Sequence, residues 1–542
     1  MAKVVTSVYG AVSTGSFVWD LLLLLVIGYT AQALWSWRRL SHVPGPFFNA
    51  LSSLPLLRVN LSGHSHSNLS ELTSRYGELP FSFSLLLFFS YRQDLKGVVE
   101  WTDPTDPEFI KTGSLVRIGP NTVITTDFRH AQRMEALKSP YRKGPWYGTF
   151  RFQKGKDHSF CMVDEEKHAA LRTKIGPGYS ASNLVEEAID RQLSRLIDLV
   201  DRKYLSTNGA YQPVDFAVLS QLLSIDIVGD MCYGKPFGFL DDGKDIYDWV
   251  KWNEGFFPIA STAATLPILS KLVQTWPMSE LLPKPRDPVG LGRFIKFAQD
   301  SIDERFGPGA EARRDMIAMF LKHGANKEEA TGEALVQVVA GTDSVAVAIR
   351  MTLLYILTTP RVYNLLLAEL DGAARAGAIT TPIRDAEAKR LPYLQAVIRE
   401  GLRVFPSLTP LLAKSVPAEG DTVAGHFLPG GTEVGIDGWG ILRSQEYWGP
   451  DAHAFRPERW LEAGKEQLGD MSECLEILFG YGKYKCLGRG IAIMEINKVL
   501  PELLRRYDFT ILDPTAPIKK MHSAAFWLMT DFWVTVAPRN RS

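Results

Sequence analysis

The sequence predicts one large, mainly α-helical domain with small β-sheets, behind a single N-terminal hydrophobic helix. Three observations support this fold class: a composition able to form a core, long stretches with helical spacing of apolar residues, and one isolated apolar run near the start. The chain has 542 residues, of which 46% are hydrophobic and 22% charged, with 60 basic and 60 acidic residues. This composition excludes intrinsic disorder, and zero net charge lacks the basic excess typical of nucleic-acid binding.

The N-terminal segment is distinct from the rest of the chain. Residues 17–37 are almost entirely apolar and long enough to cross a bilayer core as a helix, and Arg38 and Arg39 follow directly. A cleaved signal peptide would carry its charge before the apolar run. The basic pair after the run instead predicts a membrane anchor over residues 1–42, with the body, residues 43–542, in the cytosol. A buried core helix is the alternative.

Long helices dominate the predicted body. Apolar residues recur at helical spacing in six stretches: 184–203, 213–233, 291–305, 327–358, 361–376 and 392–404. Short strands are predicted at 115–118 and 427–428, each beside a Gly/Pro turn, and β-structure from 526 to 536. Long helices with minor sheets indicate one mainly-α domain rather than several.

Of the four cysteines, Cys486 alone has a sequence context suited to metal binding. A cysteine thiolate needs a lowered pKa, donors near its sulfur and a backbone that can approach closely. In FGYGKYKCLG, residues 479–488, Gly482 and Gly488 permit tight backbone angles, two lysines add positive charge, and a helical stretch follows. Cys486 therefore precedes a helix N-terminus, where the dipole favours an anion. A structural cysteine in a glycine-rich loop is the alternative.

These residues match the FxxGxxxCxG signature of the cytochrome P450 family, with Phe479, Gly482, Cys486 and Gly488 at the fixed positions. The resemblance extends over nearly the whole chain from Pro44 onwards and is closest to the fungal, pisatin demethylase-like branch. It implies the fold of that family, a haem cofactor, and Cys486 as the thiolate ligand of the haem iron.

Two further landmarks of the family follow in the expected order. Glu400 and Arg403 lie one helical turn apart and resemble the ExxR element, while Arg459 belongs to FRPERW, which resembles the PERF box. The resemblance implies that these three side chains form a buried ion network behind the haem. We interpret them as structural rather than chemical, since such a network is tolerable in a core only when fully satisfied.

The pentapeptide AGTDS, residues 340–344, lies within the long helical stretch and resembles the family's oxygen-activation motif. Gly341 leaves room for dioxygen beside the helix. Asp343 and Ser344 are then the acid and the hydroxyl that relay protons. Serine stands where threonine is usual, so the donor is kept but the methyl group that restricts χ1 is lost. Small residues at a helix crossing are the alternative interpretation.

Haem carries two propionates that require cations or hydroxyls. His168 and Arg172 lie one helical turn apart and occupy the place of the family's WxxxR element, with histidine in place of tryptophan. Lys414 and Tyr484 are further candidates, and Tyr484 stands where arginine or histidine is common. An exposed surface pair is the alternative for His168 and Arg172.

The resemblance implies a monooxygenase that inserts one atom of O2 into a hydrophobic small molecule, by hydroxylation or oxidative demethylation. It also implies electrons from NADPH through a cytochrome P450 reductase, a single-pass location in the endoplasmic reticulum membrane, and a role in fungal secondary metabolism. Lys483, Lys485 and Arg489 are the residues expected to dock the reductase. A haem-thiolate isomerase or dehydratase, and an inactive chain, remain the alternatives.

The resemblance also places the substrate-binding wall in four mostly apolar segments: 145–160, 249–276, 407–412 and 524–529. Aromatic side chains in them suit a hydrophobic ligand. The most prominent are Phe256, Phe257, Phe526 and Trp527. Aromatic residues at such spacing are also typical of a protein core, which is the alternative.

One segment departs from the family pattern. Residues 78–113 separate Tyr76-Gly77 from Ser114, where family members continue almost directly into the strand. We hypothesise that this segment is a translated intron, because its removal restores the family sequence and unstructured loops of this length are uncommon in compact domains. A genuine surface loop is the alternative, and sequencing the transcript across the segment distinguishes the two.

Overall fold

The computed structural model describes residues 2–539 apart from 77–114, 208–209, 307–312 and 525. The segment 78–113, with its intron hypothesis, therefore lies outside the described residues. Two compact units are present. The described parts of residues 1–58, 71–125 and 415–435 form the smaller unit, and the described parts of residues 59–70, 126–414 and 436–542 form the larger. The domain boundary at residue 43 stays a prediction.

Helices account for most of the structure, as the sequence predicts. In chain order they are α1 Ala2–Arg39, α2 Phe47–Leu51, α3 Leu54–Leu61, α4 Ser65–Tyr76, α5 Phe128–Glu135, α6 Glu165–Tyr179, α7 Ser182–Leu199, α8 Phe216–Tyr233, α9 Phe239–Asp242, α10 Trp249–Thr265 and α11 Pro267–Val273. They continue with α12 Gly290–Asp303, α13 Met316–Lys322, α14 Lys327–Thr358, α15 Pro360–Arg375, α16 Asp385–Ala388, α17 Pro392–Val404, α18 Gly438–Ile441, α19 Gln445–Trp448, α20 Arg459–Glu462, α21 Lys465–Leu475 and α22 Arg489–Arg506.

The strands are short. They are β1 Leu115–Arg117, β2 Thr122–Thr125, β3 Arg142–Lys143, β4 Pro213–Asp215, β5 Lys414–Ser415, β6 Asp421–Val423, β7 His426–Leu428, β8 Glu433–Ile436, β9 Tyr507–Ile511, β10 Lys520–Ala524, β11 Phe526–Thr530 and β12 Trp533–Pro538. In the smaller unit β1 pairs with β2 and β6 with β7, all antiparallel. In the larger unit β12 lies between β4 and β9, and β10 pairs with β11, again antiparallel. The mainly-α fold with small sheets is confirmed.

The apolar N-terminal helix is exposed, as expected of an anchor. Its part Trp19–Arg39 has a mean hydropathy of 1.3 and is only 6% buried. Two other described helices are as apolar, but α8 and α14 are 94% and 78% buried and therefore form core. The end of α1 is fixed by Arg117, whose guanidinium donates to the carbonyl oxygens of Ser36 at 2.7 Å and Trp37 at 3.2 Å. These bonds satisfy carbonyls that a helix C-terminus leaves unpaired.

The central helix α14 has the bounds that the sequence predicts. It begins with a capping box, in which Asn326 accepts a bond from the Glu329 amide and the Glu329 side chain accepts one from the Asn326 amide. The predicted helix at 213–233 is wrong in its first three residues, which form β4. Asp215 accepts a bond from the Ala217 amide at 3.0 Å and so starts α8 only at Phe216.

Candidate active site

The glycine-rich loop at residues 479–488 makes a tight turn before α22. The Cys486 amide donates to the Phe479 carbonyl oxygen at 2.6 Å. Gly482 has φ of +47°, a conformation that residues with a Cβ rarely adopt. A Cβ there would also collide with the backbone at the end of α5. Gly488 is the N-cap of α22, so the loop places Cys486 just before the N-terminus of that helix.

Cys486 has an accessible side chain, whereas the other three cysteines are buried. Burial nevertheless raises the pKa of the Cys486 thiol, while the Gly488 amide and the Arg172 guanidinium act in the opposite direction. Cys486 thus keeps exposed surface although protein atoms surround its thiol. The amide and the guanidinium both favour the thiolate form that metal binding requires.

The middle of α14 has one accessible stretch. Ala340 is exposed, and Gly341 and Ser344 are half-buried, although most of this helix is buried. Ser344 Oγ donates to the Ala340 carbonyl oxygen at 2.6 Å. A Cβ at Gly341 would lie 3.0 Å from the Val228 side chain, so glycine lets α8 pack closely here. This stretch therefore offers open space with a hydroxyl group beside it.

Asp343 is held between α8 and α10. Its carboxylate accepts a hydrogen bond from the Gln221 side chain, and another from Asn253 Nδ2 at 2.9 Å. Burial raises the pKa of Asp343 to about 7. Within the described part of the chain, no hydrogen bond joins Asp343 to Ser344. The two predicted relay residues are therefore neighbours in sequence with different partners.

Replacing Asp343 tests its role as a proton carrier. We expect Asp343→Asn to lower turnover about 100-fold, because asparagine keeps a hydrogen-bonding side chain but cannot exchange a proton. Gln221→Leu removes a donor that favours the ionised carboxylate, so the acidic limb of the pH profile should move to higher pH. Gln212→Leu, at an exposed position, is the control. Unchanged turnover in Asp343→Asn would contradict the role.

Asp343 should also make stability depend on pH. Its pKa rises from 3.8 to about 7 on folding, so the folded state binds this proton more tightly than the unfolded state. The stabilisation of the folded state by this proton is fully present at pH values below the Asp343 pKa of the unfolded state. It is lost as the pH rises through the folded-state pKa of about 7. Chemical unfolding of the wild type and Asp343→Asn should therefore favour the variant increasingly between acidic and neutral pH. A pH-independent difference would contradict the buried-proton assignment.

Helix α6 carries His168 and Arg172 beside the glycine-rich loop. Arg172 Nη2 donates to the Lys485 carbonyl oxygen at 2.8 Å, directly before the cysteine. His168 is 3% exposed, and among the residues that the structure describes its ring nitrogens have no hydrogen-bond partner. Burial, together with the cations of Lys143 and Arg172, lowers the pKa of His168 to about 3. A buried polar ring without a partner, beside a guanidinium, suits an anionic acceptor.

Lys414 and Tyr484 donate to protein acceptors instead. Lys414 Nζ donates to Glu135 at 2.7 Å, to the Tyr147 hydroxyl at 2.9 Å and to a backbone carbonyl at 2.8 Å. An ammonium group has three donors, so each has a partner. The Tyr484 hydroxyl donates to Glu165. Their predicted contact with haem propionates would require these carboxylates to give way.

Four further residues, none of which the sequence predicts to contact haem, complete this cluster: Glu135, Lys143, Tyr147 and Glu165. Tyr147 lies in the segment 145–160, which the resemblance places in the substrate wall. Glu135 also accepts a bond from the Tyr481 amide at 2.8 Å, so one carboxylate connects the glycine-rich loop to Lys414. Burial, reinforced by Lys414, lowers the pKa of Lys143 to about 7. The basic and aromatic run YRKGPWYGTF contains Lys143 and Tyr147 and could have drawn attention to them. Neither carboxylate has such a signal.

The structure brings the three predicted network residues together. Glu400 accepts bonds from Arg403 Nη2 at 2.7 Å, Arg459 Nε at 3.0 Å and Trp460 Nε1 at 2.9 Å. Arg403 also donates to three backbone carbonyls. Glu400 and Arg403 are 0% exposed and Arg459 is 5% exposed. The network is thus buried and supplied with partners, the condition under which buried ions are tolerated.

Two of the four aromatic residues expected at the substrate wall are core residues. Phe257 and Trp527 are each 1% exposed, and Trp527 Nε1 donates to a backbone carbonyl at 2.9 Å. Phe256 is half-buried and stacks on Trp252 with ring centroids 4.3 Å apart. The Phe526 side chain lies outside the described residues. Aromatic spacing alone does not identify ligand-facing positions.

Comparison with known proteins decides the family. The Cytochrome P450 family model matches residues 119–531. The chain belongs to the cytochrome P450 family. It is 35% identical over 491 residues to "Cytochrome P450 monooxygenase ABA1" of Pyricularia oryzae, covering 89% of this chain and 90% of that relative. It is 38% identical over 412 residues to "Cytochrome P450 monooxygenase aba1" of Botryotinia fuckeliana, covering 75% of this chain and 81% of that relative. The corresponding match to "Cytochrome P450 monooxygenase cicH" of Emericella nidulans is 27% over 519 residues, covering 93% and 94%.

These relatives identify the chain as a P450 monooxygenase, an oxidoreductase, and confirm the resemblance drawn from the motifs. The residues described above fit the haem of this family. Cys486 is the exposed cysteine among those described and would supply the thiolate that holds the iron. His168 and Arg172 have the chemistry to hold a propionate, because a partnerless buried ring lies one helical turn from a guanidinium.

His168 gives a test of the propionate contact. We expect His168→Leu to weaken haem retention about 10-fold, the value of one hydrogen bond to a charged group. His168→Trp should restore retention, because the indole nitrogen is also a donor. The measurement is the ratio of Soret to protein absorbance after gel filtration at low concentration. Equal retention by His168→Leu and the wild type would contradict the contact.

Proposed function

We propose that this P450 monooxygenase inserts one oxygen atom from O2 into a hydrophobic small molecule, by hydroxylation or oxidative demethylation, in fungal secondary metabolism. The haem, when bound, supplies the activation of dioxygen and the transfer of the oxygen atom. The observation that carries the proposal is the combination of an accessible Cys486 with an open stretch of α14 that contains Ser344. The relatives' names support the reaction class.

The chain's own residues divide the remaining tasks. Arg172 and the backbone amides after Cys486 favour the thiolate, and Glu135 holds the loop through the Tyr481 amide. Asp343 exchanges a proton near neutral pH, since its pKa is about 7. Ser344 holds a hydroxyl on the open face of α14. Since no hydrogen bond among the described residues joins Asp343 to Ser344, the two side chains serve the proton supply at separate points, Asp343 in the buried part of the helix and Ser344 on its open face.

The expected electron source is NADPH through a cytochrome P450 reductase, with Lys485 and Arg489 as docking residues. Their side chains are 47% and 41% exposed, and both pair with Glu476. Lys483 is a poorer candidate than the sequence suggested, because its side chain is 16% exposed and donates to two backbone carbonyls. The exposed α1 supports single-pass anchoring, which we assign to the endoplasmic reticulum membrane, with the body, residues 43–542, in the cytosol.

Isotope labelling tests the proposal. The full chain is expressed with a reductase in a host that produces candidate metabolites, and new products are compared under normal and heavy-isotope dioxygen. For hydroxylation we expect a product that carries one labelled oxygen atom. For oxidative demethylation we expect an unlabelled demethylated product, with the labelled atom released in formaldehyde. Either product should depend on NADPH and the reductase. A product that forms without oxygen and NADPH would instead support the isomerase or dehydratase reading. The Asp343→Asn variant is the matched control for uncoupled reductant use.

A further inference from the structure

An apolar groove lies between α1 and the segment that contains α2 and the start of α3, all within the smaller unit. Its volume is about 450 Å³. Tyr29, Ala33 and Leu34 line it from α1, while Phe48 and Leu54 line it from the other side. Leu34, Phe48 and Leu54 are each more than half exposed, at 55%, 64% and 64%. Exposed apolar side chains gathered around one groove indicate a binding surface rather than scattered surface residues.

The polar groups on the groove wall are already used within the protein. Thr30 Oγ1 donates to the Val26 carbonyl oxygen at 2.7 Å, and the Tyr29 hydroxyl donates to the Leu51 carbonyl oxygen at 3.5 Å. Ser52 Oγ accepts a bond from the backbone at 3.2 Å. The wall therefore presents mainly carbon atoms to an occupant. This favours a hydrocarbon chain over a polar ligand or a column of water.

The position of the groove along α1 agrees with a lipid occupant. A helix rises 1.5 Å per residue, so Leu34 and Tyr29 lie about 8 and 15 Å from Arg39 along its axis. Half of a bilayer's hydrocarbon core is about 15 Å thick. Since Arg39 marks the basic end of the candidate span, a bilayer crossed by this span would have its acyl chains at the depth of the groove. The groove is also continuous with the exposed apolar surface of α1.

Two arginines extend the same helix faces beyond the groove. Arg38 follows Leu34 by one helical turn, and Arg58 follows Leu54 by one turn. Both are exposed, and neither guanidinium has a partner among the described residues. Guanidinium groups are well suited to phosphate. The apolar wall and its depth thus match the acyl chain of a phospholipid. The two guanidinium groups beyond the groove match its phosphate headgroup.

We propose that this groove binds one acyl chain of a bilayer phospholipid, with the phosphate of the same lipid near Arg38 and Arg58. The segment of α2 and α3 then lies in the leaflet beside α1. This segment acts as a second membrane contact beside α1, and the bound lipid fills the space between the segment and α1. The proposal is independent of the reaction that the enzyme catalyses.

A photoactivatable phospholipid, with a diazirine in its acyl chain, tests the groove in the full-length holoenzyme in nanodiscs. We expect labelling of peptides from residues 47–58 as well as from α1. Ala33→Trp fills the groove and should reduce the labelling of residues 47–58 several-fold. Ala31→Trp is the matched control, because Ala31 lies on nearly the opposite face of α1 and is exposed. Equal labelling of residues 47–58 in both variants, or none in the wild type, would overturn the proposal.

A second comparison tests the phosphate contact. A diacylglycerol with the same diazirine chain lacks the phosphate and should label residues 47–58 less than the phospholipid does. The double variant Arg38→Gln, Arg58→Gln should reduce labelling by the phospholipid to the level of the diacylglycerol. Equal labelling by the two probes in the wild type would overturn the role of the arginines.

Discussion

Replacing Cys486 with alanine will abolish turnover while leaving the fold in place. The Cys486 backbone bond to Phe479 does not need the sulfur, so the loop can keep its turn. The variant loses the only accessible thiol among the described cysteines, and with it the thiolate that we propose as the ligand of the haem iron. Product formation and haem content of the purified full chain measure the effect, and both should fall to background.

Cys474→Ala is the control for this variant. The Cys474 thiol is buried, and burial raises its pKa to about 12, so it stays protonated and unreactive. We expect a stability loss of about 1 kcal/mol from the missing volume, with turnover retained. Product formation by Cys486→Ala would contradict the assignment of Cys486 as the haem ligand. So would the loss of product formation in a well-folded Cys474→Ala.

The buried network around Glu400 should give the largest effect on stability. Glu400→Ala leaves Arg403 buried without its carboxylate, whereas Arg459 keeps Asp451 at 3.0 Å. Breaking a buried ion pair in this way costs about 3–5 kcal/mol. This loss is a large fraction of the stability of a typical domain, about 5–15 kcal/mol. Soluble yield and the denaturant midpoint measure the change.

Two companion variants keep this experiment decisive. Glu400→Gln retains an acceptor oxygen and should fall between the wild type and Glu400→Ala. Glu446→Ala, at an exposed position, should stay within about 0.5 kcal/mol of the wild type. A Glu400→Ala protein as stable as Glu446→Ala would contradict the structural role of the network.

Local signals explain why the central helices could be predicted. Helix α14 has a capping box at Asn326 and a long apolar pattern, and α17 has Pro392 at its first position, so both have the predicted bounds. The strand β4 is only three residues long and pairs with β12 through Val214 and Val534. No local period can reveal such a pairing, because the partner lies elsewhere in the chain.

The same contrast between local sequence signals and distant partners applies to the candidate active site. The cysteine loop and the Glu400 network follow fixed spacings, so their residues could be named from the sequence. The acceptors of Lys414 and Tyr484 could not, because Glu135 and Glu165 lie 279 and 319 residues away from them. Asn253 and Gln221 likewise reach Asp343 from other helices. Partners that only the packing of helices brings together have no sequence pattern to mark them.

The carbon monoxide difference spectrum of the reduced full-length protein tests the central claim most directly. Thiolate ligation by Cys486 predicts the Soret band characteristic of a haem-thiolate protein in the wild type and in Cys474→Ala. The band should be absent from Cys486→Ala. A wild-type protein that binds haem without this band, or a band that persists in Cys486→Ala, would contradict the assignment of Cys486 as the haem ligand.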